Sequence, residues 1–185
     1  MEYLTVYAFS TENWKRPAEE VKTIMKLLER YLNEAINTME RDHIRMKIFG
    51  DVSALPPKLQ RLAAKTDEIS ARYPGFQANI CLNYGGRDEI VSAARRYARD
   101  YAQGKTQGEL SEEQFGGYLY SAGICDPDLL IRPGGEQRIS NFLLWQCAYA
   151  EFYFTDVLWP DFTSAELDKA IEEYNRRDRR FGNVK

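Results

Sequence analysis

Histidine is almost missing from this sequence of 185 residues: His43 stands alone. A Ser–His–Asp arrangement or an HExxH zinc helix would have to rest on it, so both chemistries are set aside. His43 lies in Glu40–Lys47, between a helix-like and a strand-like stretch, and reads as a surface or capping residue. Cysteine is scarce too. Cys81, Cys125 and Cys147 are odd in number and share no CxxC spacing, which indicates neither a disulfide framework nor a zinc site and makes a reducing, cytosolic compartment the simpler expectation. Neither sign of charge dominates, with 25 basic and 28 acidic residues giving −3, so no basic field argues for nucleic acid. Long apolar runs are lacking as well. Even Phe142–Phe154 is interrupted by Gln146 and Glu151, and the sequence shows neither a bilayer span nor a signal-peptide pattern.

What is present is a globular composition, 44% hydrophobic and 13% aromatic, long enough for a sizeable core in one domain over 1–185. Tyr3–Phe9 is β-branched, aromatic and nearly all apolar, as expected for a strand covered on both faces. Pro17 opens a long amphipathic helix to about Asp42, with Val21, Ile24, Leu28, Leu32, Ala35 and Met39 on its stripe. Strands are expected at Ile44–Phe49, Phe76–Leu82, Asp128–Arg132 and Phe152–Phe154. Helices are expected from Pro57 to Arg72, at Asp88–Ala102, at Ser111–Ser121 behind a capping box, at Ile139–Gln146 and at Ser164–Arg179. This alternation predicts an α/β fold with a mostly parallel sheet flanked by helices. Arg176, Arg177, Arg179 and Arg180 read as a solvated helix end, with Arg177 remote from any chemistry.

Two loops carry the chemistry. After the Leu129–Ile131 run, Arg132 meets the turn Pro133-Gly134-Gly135, followed by Glu136, Arg138, Ser140 and Asn141. Guanidinium forks match phosphate oxygens, a hydroxyl and helix-start N–H groups supply further donors, and the glycines allow close approach or φ > 0. Glu151, set among Phe152, Tyr153 and Phe154, needs a partner or a cation. The other reading is that Arg132, Glu136, Arg138 and Glu151 are structural ion pairs around a helix end. The second loop, Ser10-Thr11-Glu12-Asn13-Trp14-Lys15-Arg16, lies at the carboxyl end of the first strand, where open α/β sheets bind ligands. Ser10, Thr11 or Asn13 could instead cap the next helix.

These two loops, Tyr7–Pro17 and Arg132–Gln146, followed by Ala150-Glu151 and Trp159–Phe162 and joined by Asn83-Tyr84-Gly85-Gly86-Arg87, resemble the cis-prenyltransferases. Within them the match is nearest to bacterial undecaprenyl diphosphate synthases, also called isoprenyl transferases. The resemblance implies a magnesium-dependent α/β homodimer joining isopentenyl diphosphate to an allylic diphosphate, farnesyl diphosphate foremost. Its product would be a long cis-polyprenyl diphosphate, undecaprenyl diphosphate for the cell-wall lipid carrier, made in the cytoplasm by an enzyme peripherally associated with the membrane that receives the product. Carried over by position, Ser10, Thr11, Glu12, Trp14 and Arg16 contact substrate, and Asn13 is the residue assigned to proton abstraction. A neutral amide cannot take up a proton near neutral pH, so Asn13 is expected to position the water or diphosphate that does. The resemblance likewise implies that Arg132, Arg138, Ile139 and Ser140 would hold the homoallylic diphosphate and that Glu151 would bind magnesium.

The family's glycine-rich DGNGRWA-type loop, with its metal-binding aspartate, is not found in this sequence, and Met1 stands at the family's second sheet strand. The expectation is therefore a chain lacking that strand and loop and impaired in catalysis. The alternative is a non-catalytic subunit of a heteromeric cis-prenyltransferase. Product length depends on apolar walls, for which Ile24, Leu28, Leu32, Ile48, Ile80 and Leu82 serve equally well as ordinary core.

Overall fold

A proline at a helix start removes no intrahelical hydrogen bond, and carboxylates there face the positive end of the helix. Pro17, Glu19 and Glu20 use both effects to start α1 (Ala18–Asp42). The computed structural model describes residues 1–177, so Arg179 and Arg180 lie outside the described residues. Residues Met1–Gly123 and the chain from Ile124 onward form two compact units. The single histidine ends α1: His43 takes the left-handed conformation (φ 54°) and donates its N–H to Met39 O.

In the first unit, β1 (Tyr3–Ser10), β2 (Arg45–Phe49) and β3 (Gln77–Tyr84) form a parallel sheet in the order β1-β3-β2. α2 (Pro57–Ser70) and α3 (Gly86–Ala102) complete the alternation predicted from the sequence. The core joins Phe9 and Leu82 of the sheet to Met25 and Leu32 of α1 and to Leu55 and Leu59. Each such side chain contributes about 1.5–3 kcal/mol by leaving water. Of the proposed tunnel residues, Leu32 and Leu82 are buried in this cluster, while Ile24, Leu28 and Ile48 pack half-buried against it.

β1 is less covered than its apolar run predicts. Among the described residues it pairs only with β3, and Phe9 is its one buried residue, so it is a half-exposed edge strand. An apolar run reports cover on the two faces of a strand, not whether a strand pairs along each edge, and pairing is decided by the sheet. The middle strand, β3, buries Gln77 and Asn79, whose amides are satisfied laterally: Gln77 Nε2 donates to Asn79 Oδ1 (2.7 Å) and Asn79 Nδ2 to Thr5 Oγ1 (3.1 Å).

The expected helix at Ser111–Ser121 shrinks to α4 (Glu112–Gly116). Its capping box forms, with Gln114 N–H donating to Ser111 Oγ and Ser111 N–H to Gln114 Oε1, each at 3.1 Å. Gly116 and Gly117 then remove the incentive to continue, because glycine loses most backbone freedom in a helix.

The second unit holds a parallel ribbon of β4 (Leu129–Arg132) and β5 (Glu151–Phe154), with α5 (Ser164–Arg176). Ile139–Gln146 is not a helix. Ser140 (φ 48°), Asn141 (φ 64°) and Leu143 (φ 43°) are left-handed, which a right-handed helix cannot contain, and a 3-10 turn follows at Gln146–Tyr149. Helix-start N–H groups are therefore not available there. Cys81 and Cys147 are buried and Cys125 is exposed. Burial, followed by nearby Asp126, pushes the Cys147 thiol up to about 11, and burial also pushes up Cys81, so neither is a thiolate nucleophile at neutral pH. No helix among the described residues is long and apolar enough to cross a membrane.

Candidate functional site

In the first unit the three parallel strands end along one edge of the sheet, and open α/β sheets bind ligands beyond the carboxyl ends of their strands. A 3-10 turn, Thr11–Lys15, leaves β1 there. Asn13 Oδ1 accepts the Ser10 N–H at 2.9 Å and closes a capping box with Ser10 at the N-cap of this turn, whereas the helix α1 starts after Pro17 without a side-chain cap. With its carbonyl oxygen occupied, the amide offers donors, not a base.

Trp14 is tied down through Asn83, a motif residue that the sequence left without a role, and through Asp51. Its Nε1 donates to Asn83 Oδ1 (2.7 Å), Asn83 Nδ2 donates to Asp51 O (2.7 Å), and Asp51 N–H returns to Asn83 O (3.3 Å). The indole also meets Phe9 edge-on at 5.2 Å and stays 38% exposed, which leaves a stacking surface. Asn83 itself is left-handed (φ 50°), a conformation asparagine tolerates better than most residues. The signal for it was present: Asn83 opens the second glycine-rich turn and Asp51 ends β2.

Around this edge, Thr11 Oγ1 donates to Glu12 Oε2 (3.2 Å) and Arg16 pairs with Glu20 (2.5 Å) while about half exposed. Tyr7 was also missed. Its hydroxyl donates to Tyr84 O (3.0 Å), and burial, then the Glu12 charge, push the phenol well above its ordinary range, keeping it a neutral donor. Tyr84 in turn donates to the buried carboxylate of Glu89 (2.5 Å), which also accepts the Tyr120 N–H (2.8 Å).

The second unit assembles the arginines. Arg132 ends β4, and Glu136 Oε2 faces both Arg132 Nη2 (3.6 Å) and Arg138 Nη2. Arg132 Nη1 donates to Ser140 Oγ at 3.4 Å. Two cations, one carboxylate and one hydroxyl thus gather on a turn, a net positive cluster suited to an anion. Arg138 is the most open of the charged groups, at 66% side-chain exposure. Half-buried Ile139 lies between Arg138 and Ser140 in the chain. The glycines serve the turn itself: Gly134 (φ 92°) and Gly135 (φ 75°) send their N–H groups to Val157 O and Thr155 O, both at 2.9 Å. Of the two roles the sequence allowed them, the left-handed turn is the one observed.

Glu151 does not join that cluster. It pairs with Leu129 at the start of the ribbon, whereas Arg132 pairs with Phe154 at its end. Three register steps of about 3.3 Å separate them by about 10 Å, and an odd step places them on opposite faces. The ion-pair reading is met in altered form: Glu151 Oε2 accepts from Arg177 Nη1 at 2.8 Å. Arg177, expected to be remote, is thereby a direct neighbour of a candidate ligand. Among the described residues no group of three or more His, Cys, Asp or Glu could cage a metal. Magnesium, however, usually takes one or two carboxylates with substrate oxygens and water. A partly exposed Glu151 with lone pairs beyond the one used by Arg177 fits that donor set as a single ligand.

Comparison with known proteins agrees with these motifs. The Prenyltransf family model, described as undecaprenyl diphosphate synthase, matches residues 1–182. The isoprenyl transferase of Fusobacterium nucleatum is 51% identical over 185 residues, covering 100% of this chain and 78% of that protein. That of Clostridium perfringens is 45% identical, covering 100% and 74%. Among solved structures, lavandulyl diphosphate synthase from Lavandula x intermedia in complex with dimethylallyl diphosphate superposes with a TM-score of 0.93 at 36% identity, covering 99% of this chain and 80% of that one. A probable undecaprenyl diphosphate synthase from Campylobacter jejuni gives 0.88 at 39%, covering 98% and 84%. The expected α/β class holds, and nothing in these matches supports the expected impairment.

Proposed function

This chain belongs to the undecaprenyl diphosphate synthase family of prenyltransferases, and from that premise we propose that it condenses isopentenyl diphosphate with an allylic diphosphate, farnesyl diphosphate, into a long cis-polyprenyl diphosphate. The product, undecaprenyl diphosphate, would serve as a cell-wall lipid carrier. The observation that carries this reading is the Arg132–Glu136–Arg138 cluster with Ser140 on a left-handed turn.

In the reaction the allylic C–O bond breaks and diphosphate departs. The isopentenyl double bond supplies the new C–C bond, and one proton is lost. Arg132, Arg138 and Ser140 hold the isopentenyl diphosphate, with Ile139 against its apolar part. On the first unit, the Asn13 amide donates to an oxygen of a diphosphate, which takes the proton. Ser10, Thr11, Glu12 and Arg16 line that loop, and the open indole face of Trp14 lies against prenyl carbons. Magnesium, held by Glu151 with substrate oxygens, would neutralise developing diphosphate charge.

The test is transfer of label from isopentenyl diphosphate to a polyprenyl product in the presence of farnesyl diphosphate and magnesium. Glu151→Gln is expected to lower the rate and move the magnesium dependence to higher concentration. A rate equal to the parent at saturating magnesium would make the carboxylate structural.

We also propose a homodimer acting in the cytoplasm at the membrane that takes the product. It is supported by the exposed large apolar side chains of the second unit, Phe152, Phe154, Leu158 and Trp159, which are 37–68% exposed. A strictly monomeric sedimentation profile at micromolar concentration would remove it.

A further inference from the structure

We propose that Arg177 is a built-in cation that occupies Glu151 in the absence of metal, and that a divalent ion gains this carboxylate in competition with it. This rests on the reading of Glu151 as a metal ligand. The geometry is specific. Arg177 follows α5, and its Nη1 donates to Glu151 Oε2 (2.8 Å) and to Phe152 O (3.0 Å), while Nη2 donates to Glu173 Oε1 (2.6 Å). Both Arg177 and Glu151 side chains are about seven-tenths covered, at 29% and 32% exposure. An unpaired carboxylate there, beside Phe152 and Tyr153, would be partly desolvated, and the guanidinium removes that penalty.

The contact is also built to be exchanged. If Glu151 turns to a metal ion, Arg177 keeps a carboxylate partner in Glu173 and a carbonyl partner in Phe152, so neither charge is stranded. The trio has two carboxylates to one guanidinium, a negative surplus that a dication corrects. Arginine stays charged at every accessible pH, so the exchange responds to metal concentration and not to protons.

The experiment counts bound Mn2+ by electron paramagnetic resonance, with inorganic diphosphate present, in the full chain and in Arg177→Gln, Glu151→Gln and the double variant. Loss of the competitor in Arg177→Gln is expected to tighten Mn2+ binding about fivefold, the span of a partly exposed ion pair. Glu151→Gln should lose that site, and the double variant should gain nothing from the arginine change. Unchanged or weaker binding in Arg177→Gln overturns the proposal, as does tightening that persists in the double variant. Mn2+ binding by Glu151→Gln equal to the parent overturns the underlying ligand assignment instead. Should Arg177→Gln fail to fold, Arg177→Lys, a point charge without the fork, is expected to tighten binding about twofold, and no tightening overturns the proposal equally.

Discussion

Arg138→Ala raises the KM for isopentenyl diphosphate by about 10- to 100-fold, because a charge-assisted hydrogen bond to phosphate is worth about 1.5–3 kcal/mol and each 1.4 kcal/mol is about tenfold. The effect is expected in KM because Arg138 is the exposed arm of the cluster, at 66% side-chain exposure, and meets the diphosphate in ground and transition states alike. Glu136 sharpens the expectation. It already holds Arg132 and Arg138 on one oxygen, so the guanidinium pair is gathered before any anion arrives. Steady-state kinetics with isopentenyl diphosphate varied at saturating allylic substrate checks this. An unchanged KM would return Arg138 to the structural ion-pair reading.

Gly50→Ala should destabilise the chain by about 3–5 kcal/mol, among the largest effects a single methyl can have. Gly50 ends β2 at φ 135°, a region side chains avoid, and a Cβ there would overlap the Leu82 carbonyl oxygen and come to 2.9 Å of Asn83 O. Both obstacles are backbone of β3, the middle strand, and cannot step aside. Next door, Asp51 and Asn83 exchange the hydrogen bonds that hold Trp14, so the same methyl would loosen the candidate loop. At this chain length the midpoint of thermal unfolding should fall by about 6–20 °C. Gly75→Ala separates the causes, since Gly75 has φ 100° and open space around it. Its expected loss is about 1 kcal/mol from backbone strain alone. Equal losses in the two variants would mean that the clash with β3 is relieved.

Much of the architecture was legible because it rests on local rules. The three- and four-residue spacing of Leu32, Ile36 and Met39 is a helix signature wherever α1 packs, and Ser111 with Gln114 caps α4 as the pattern demands. Local rules also failed in identifiable places. Ile139–Gln146 has helical composition, yet left-handed Ser140, Asn141 and Leu143 bend it around the arginine turn. Nothing in the apolar run of β1 distinguishes an edge strand from a central one.

The candidate site divides in the same way. Residue chemistry by itself marked Arg132, Arg138 and Ser140 as an anion set and Ser10–Arg16 as a loop at a strand end, because guanidinium forks, hydroxyls and positions after strands carry meaning without coordinates. Tertiary structure alone decided how they are held. It tied Trp14 to Asn83 across 69 residues of sequence. It also set Glu151 three register steps from Arg132 and seated Arg177 on it. Strand register and long-range hydrogen bonds depend on which segments meet. That is a property of packing, which no window of the sequence contains.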